Sequence, residues 1–159
     1  MNKGFGLVEI VIASAVISSS IFSLSTISVL GSRLQRQSLE KIRANFLAEE
    51  GLEAMRFLRD KSWNENLANL SPGTNYYISF ATTTSEWGIG SIAQPFPDSF
   101  FERKVTAENV SRDSNDNITL SGGTNDPDSK KITVHISWQE RNATTTISLS
   151  TYLSDIFDN

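Results

Sequence analysis

Between Phe5 and Leu30 the chain carries one charge, Glu9, and no Lys, Arg, Asp, His or Pro. At about 1.5 Å per residue such a run forms a helix about 39 Å long, enough to cross a hydrocarbon core of about 30 Å. Serines and threonines interrupt it from Ser14 to Ser28. Their hydroxyls bond back to the preceding turn or across to another helix, so the run suits helix packing better than bare lipid contact. This segment constrains everything else, because an ionised carboxylate in an apolar medium is costly without a partner. A secretory signal peptide accounts for the segment less well. Ala13-Ser14-Ala15 resembles a cleavage site, but the apolar run continues well beyond it, and Glu9 falls inside what would be a short apolar region. An uncleaved signal anchor remains open. Lys3 precedes the span while Arg33, Arg36, Lys41 and Arg43 follow it, so charge does not fix the orientation.

With 159 residues and about thirty committed to a membrane, the remainder makes one modest domain. The absence of cysteine excludes disulfides, thiolate metal sites, thiol nucleophiles and a lipidated cysteine. Residues 62–159 carry six Lys/Arg against twelve Asp/Glu, and this acidic balance disfavours nucleic acid as a partner.

Lys3-Gly4 followed by Phe5-Gly6-Leu7-Val8-Glu9 and an apolar run resembles the prepilin processing motif of type IV pilins and type II secretion pseudopilins. Gly6 stands where that family commonly has threonine, and Val8 where isoleucine is frequent. The resemblance implies a leader, residues 1–4, removed by prepilin peptidase between Gly4 and Phe5, with methylation of the new Phe5 amine. It implies a minor pilin or pseudopilin: a single-pass membrane protein of the cell envelope before assembly, then part of an extracellular or periplasmic filament. The partners implied are other pilin subunits through the N-terminal helix, prepilin peptidase, the inner-membrane assembly machinery, and membrane lipid before assembly. Glu9 then has a partner, the cationic amine at Phe5 of a neighbouring subunit, and the pair sets an axial register between helices. An internal contact to the Phe5 amine of the same helix is the other arrangement, and a permanently anchored surface binding or adhesion module that is never cleaved is the alternative function.

Beyond Gly31, the residues Ala44, Leu47, Ala48, Gly51, Leu52, Met55 and Leu58 fall on one arc of roughly 140°. The expected layout is a leader (1–4), a hydrophobic transmembrane or filament-core helix (5–31), an amphipathic continuation (32–61) and a β-rich head (62–159). The fold class is α+β, with one long helix packed on a small antiparallel sheet of about four strands, and it is pilin-like by resemblance. Strands are expected at Tyr76–Ala81, within Phe100–Val110, at Lys131–Gln139 and at Ala143–Tyr152, the last two joined as a hairpin by a turn at Glu140–Asn142. Ile132, Val134, Ile136 and Trp138 alternate with polar residues and mark a buried face. Trp87–Pro97, with two glycines and two prolines, reads as a loop.

Enzymatic chemistry finds no foothold. The one histidine, His135, falls on the polar face of a strand, and "WGIG" at Trp87–Gly90 is too short for a dinucleotide fingerprint. No cofactor is expected apart from calcium. Asp113, Asn115 and Asn117 have the alternating oxygen spacing that opens a calcium loop, but Ile118 replaces the turn glycine and Thr124 the closing glutamate. Some pilin-like heads resemble this one in pinning a late loop with calcium, which points to Asp113, Asp116, Asp126 and Asp128. The competing account is that these residues cap local backbone turns.

Overall fold

The computed structural model describes residues 6–93 and 100–157. The chain divides into two compact units, Met1–Lys41 and Ile42–Asn159. The division falls within a single helix, α1 (Leu7–Lys61).

From Leu7 to Arg36 α1 is exposed, and its large apolar side chains, among them Ile10, Ile17, Phe22 and Leu30, are uncovered by the described residues, while Gln37 and Glu40 are half-buried. Its hydroxyls are turned inward to the helix itself. Ser14 Oγ donates to the carbonyl of Val11 at 2.8 Å, Ser20 Oγ to Val16 at 2.8 Å, Ser23 Oγ to Ser19 at 2.9 Å and Thr26 Oγ1 to Phe22 at 3.0 Å. Each bond satisfies a donor that an apolar medium could not. Among the described residues this is the one helix long and apolar enough, by length and composition, to cross a membrane.

The second unit is built on the rest of α1. Ala44, Ala48, Gly51, Ala54, Met55 and Leu58 are its buried residues, with Leu47 and Leu52 half-buried beside them. Alanine or glycine at four of these positions lets the sheet approach closely. The helix ends at Lys61, where Ser62, in an extended conformation, caps the short α2 (Trp63–Asn66) by accepting from the Glu65 N–H at 3.3 Å. Asn66 Nδ2 donates back to the Leu58 carbonyl at 3.0 Å, a second bond beside the one this carbonyl accepts from the Ser62 N–H at 3.2 Å.

Six strands follow: β1 (Tyr77–Ala81), β2 (Glu86–Gly90), β3 (Phe101–Arg112), β4 (Ile118–Thr119), β5 (Thr124–Glu140) and β6 (Ala143–Ser154). They form an antiparallel hairpin of β1 and β2 and an antiparallel four-stranded sheet in the order β4-β3-β5-β6. Ile132, Val134, Ile136 and Trp138 of β5 are buried on the face that meets the α1 residues, joined by Phe101, Val105 and Ala107 of β3. The class is therefore α+β, a helix packed on small antiparallel sheets.

Two expectations need correction. Trp87–Gly90 is not loop but strand β2, paired with β1 through Tyr77↔Gly90, Ser79↔Gly88 and Phe80↔Trp87. Gly88 and Gly90 are tolerated because the space beyond each is open, while Trp87 and Ile89 between them pack on the core. Trp87 also meets Phe80 edge to face at 5.2 Å. The rest of the expected loop, from Gln94, lies outside the described residues. Strand β5 also starts earlier than expected, at Thr124, because a bulge interrupts its pairing with β3. Asn109 faces Lys130 but Val110 faces Asp126, leaving Pro127, Asp128 and Ser129 as the excess that absorbs the proline. The β5–β6 connection is a tight turn, with Glu140 opposite Ala143 and Arg141 at φ 58°.

Candidate functional site

Glu9 lies in the first turn of α1, and its Oε2 accepts from the Gly6 N–H at 2.9 Å. Gly6 is the residue before the helix, and its carbonyl accepts from the Glu9 and Ile10 N–H groups at 3.0 and 3.3 Å. This is the return half of a capping box, with the carboxylate at the positive end of the helix dipole. A carboxylate so placed removes one orphan N–H that lipid could not satisfy. The sequence pointed to the Phe5 amine, not to this N–H, as the partner of Glu9. The capping contact was legible from the spacing of helix start and acid, three residues apart. Gly4 and Phe5 lie outside the described residues.

The acidic residues proposed for calcium are drawn into other interactions. Asp113 Oδ1 accepts from the N–H groups of Asn115 at 2.8 Å and Asn117 at 2.9 Å, closing the turn between β3 and β4. The Asn117 and then the Asn115 amide hold its carboxyl below the usual carboxylate range. Asp126 Oδ2 accepts from Arg112 Nε at 2.6 Å, and its Oδ1 from the Asp128 N–H at 3.0 Å. Burial pushes the Asp126 carboxyl up, but the bonds from Arg112, Ser129 and the Asp128 amide outweigh it, and the net direction is down. Asp116 is exposed, with its nearest oxygen 3.7 Å from the Arg112 Nε and its carbonyl accepting from Arg112 Nη1 at 3.0 Å. Arg112 thus stands among the acids as their cation. The cleft here, about 670 Å³, is lined by Arg112, Asp113, Asp116 and Asp126 but not by Asp128. Among the described residues no group of three or more His, Asp or Glu is placed to hold a metal ion.

His135 bridges the outer face of the sheet. Its Nε2 is hydrogen-bonded to Thr106 Oγ1 on β3 at 3.0 Å, and its Nδ1 to Ser148 Oγ on β6 at 2.8 Å. Burial lowers its pKa from 6.5, Glu108 opposes this and Lys104 adds to it. The native state therefore binds a proton less readily than the unfolded chain does. Stability is full above about pH 6.5, and falls as pH drops below that value toward the folded pKa. Denaturation midpoints at pH 7.5 and pH 5.5 check this: the wild-type midpoint is lower at pH 5.5, and His135→Gln narrows the difference.

Two cations that sequence reading passed over lie in the head. Arg103 is buried at 7% exposure, and its Nη1 donates to the Leu47 carbonyl and to Glu50 Oε1 of α1, both at 3.3 Å. Burial lowers its pKa, with Glu50 pulling the other way. Lys130 is equally buried, and its Nζ donates to the Leu70 carbonyl at 3.3 Å and to Asn109 Oδ1 at 2.9 Å. These contacts tie strands to the helix and to the segment after it, so they serve the architecture of the head.

In comparisons with known proteins, no family model, no curated protein and no solved structure matches the chain.

Proposed function

We propose that the chain is a minor pilin or pseudopilin, a structural subunit of a type IV pilus or type II secretion-like filament. On this reading prepilin peptidase cuts after Gly4, Phe5 becomes the methylated N-terminus, and the assembly machinery of the membrane draws the subunit from lipid into a filament. The observation that carries the reading is a single carboxylate in the first turn of a helix whose large apolar side chains from Leu7 to Leu30 are exposed. A bundle of identical helices covers those side chains, and an amine from a neighbour gives the carboxylate a counter-charge. The continuation of the same helix into the core of an α+β head suits a subunit whose anchor is also the spine of its head. The pilin-like character of that layout is part of the proposal.

The test is the mass of the N-terminal peptide from protein recovered from its native cells. The expected peptide begins at Phe5 and carries one extra methyl group. A peptide that begins at Met1, from cells that process other prepilins, overturns the reading.

One observation favours a second reading, the uncleaved surface module. The bond from Gly6 N–H to Glu9 gives the carboxylate a use that needs no processing and no neighbour.

A further inference from the structure

We infer that Arg33 and Arg36 form a binding site for the phosphate of an anionic phospholipid, in the leaflet where the apolar part of α1 ends. The inference rests on that part of the helix lying in lipid, a premise shared by the filament subunit before assembly and the anchored module.

From Ile10 to Leu30 the helix rises about 30 Å, the thickness of a hydrocarbon core. Glu9 then stands at one margin of that core. Arg33, about 4.5 Å beyond Leu30, falls within the opposite headgroup layer, and Arg36, about 9 Å beyond, lies at its outer margin. A long side chain reaches back from there. Both arginines are exposed, and among the described residues neither takes part in an ion pair. Three residues apart on a helix, their Cβ atoms are about 5–6 Å from one another, so two guanidinium groups can meet on one phosphate. Each is a planar fork that matches a pair of phosphate oxygens.

A groove of about 400 Å³ leads to the same place. Ser25, Thr26, Val29 and Leu30 line it, with Arg33 at the end beyond the apolar run. The Ser25 and Thr26 hydroxyls donate to the carbonyls of Ile21 and Phe22, both at 3.0 Å, so these walls offer an acyl chain no unsatisfied donor. An acyl chain laid along the groove brings its own phosphate to the Arg33 guanidinium. The order along the helix, apolar and then cationic, is the complement of a phospholipid that is apolar and then anionic.

Charge favours lipid over protein as the occupant. Between Ile10 and Leu39 the chain has no acid, so copies of it at equal depth in the bilayer offer these arginines no carboxylate. An anionic leaflet offers a net negative phosphate at that depth, and a zwitterionic headgroup, carrying its own cation, competes less well. The acidic head is repelled by an anionic surface, so a preference for such lipid has its source in the helix.

The test uses the full-length chain in detergent micelles containing equal amounts of phosphatidylglycerol and phosphatidylcholine with matched acyl chains. Native mass spectrometry counts the lipids each chain retains. A basic side chain at an anionic surface is worth about fivefold in binding. Phosphatidylglycerol should therefore be retained in at least fivefold excess, and Arg33→Gln combined with Arg36→Gln should bring the two lipids near parity. Lys41→Gln, about 16 Å beyond Leu30, should leave the excess in place. Equal retention by the wild type overturns the inference, as does an excess that survives the double substitution. So does an excess lost as fully in Lys41→Gln, which would make the preference a diffuse effect of charge. Retention of the wild type in phosphatidylcholine vesicles washed with alkaline carbonate tests the premise separately. A chain washed out overturns the membrane reading and the inference with it, whereas a chain retained, but without lipid preference, overturns the inference alone.

Discussion

If the chain is the filament subunit proposed above, a Glu9→Ala variant should remain in the membrane and be lost from filaments, with incorporation down on the order of a hundredfold or more. Its apolar run is untouched, so insertion does not depend on the carboxylate. Assembly does, because the cationic amine at Phe5 would enter a bundle of apolar helices without a counter-charge. Removing one member of a buried pair costs about 3–5 kcal/mol, against about 1.4 kcal/mol for each factor of ten. Glu9→Gln separates the two uses of the residue. A glutamine oxygen still accepts from the Gly6 N–H, so the helix start is preserved. If neutralisation of the amine governs assembly, Glu9→Gln fails as Glu9→Ala does. Normal incorporation of the Gln variant, measured as the ratio of subunit in sheared filaments to subunit in membranes, would leave capping as the residue's whole role.

What the sequence discloses and what it conceals divide along range. The stripe from Ala44 to Leu58 and the alternation from Ile132 to Trp138 are local periodicities, and both faces are buried in the structure. Arg103 was legible by the same rule, since it lies in phase with Phe101, Val105 and Ala107, but its charge argued for the surface. Its burial rests on Leu47 and Glu50, more than fifty residues away, which no local pattern reveals. The surroundings of the acids after β3 are hidden for the same reason. Their spacing resembles a calcium loop, and the fold also sets Arg112 among them, its guanidinium reaching Asp126 across a strand pair. Strand β2 was hidden by its glycines, although Trp87 and Ile89 already showed the alternation. At the N-terminus the processing motif is a matter of residue identity recognised by another protein, so a fold by itself adds little to it.

Within α1, two glycines of the same helix should respond differently to a side chain. A Cβ at Gly31 meets nothing within 4 Å, whereas one at Gly51 falls 2.8 Å from Val134 Cγ1, 3.3 Å from its Cγ2 and 3.2 Å from Arg103 Cδ. Val134 is β-branched, buried, and paired on both sides in the central strand β5, so it has no free rotamer to retreat into. Overpacking of this kind costs about 1–3 kcal/mol, and alanine returns about 1 kcal/mol of helix propensity relative to glycine. Gly51→Ala should therefore lose about 1 kcal/mol of head stability. Gly51→Leu, which drives three further carbons into the same wall, should lose about 3 kcal/mol or more and separate the helix from the sheet. Trp63, Trp87 and Trp138 all lie in the second unit, so tryptophan fluorescence during denaturant unfolding reports the head without interference from the apolar helix. Gly31→Ala should leave that transition where it is. A Gly51→Leu transition at the wild-type midpoint would mean that the helix does not bear on β5 as closely as the 2.8 Å approach requires.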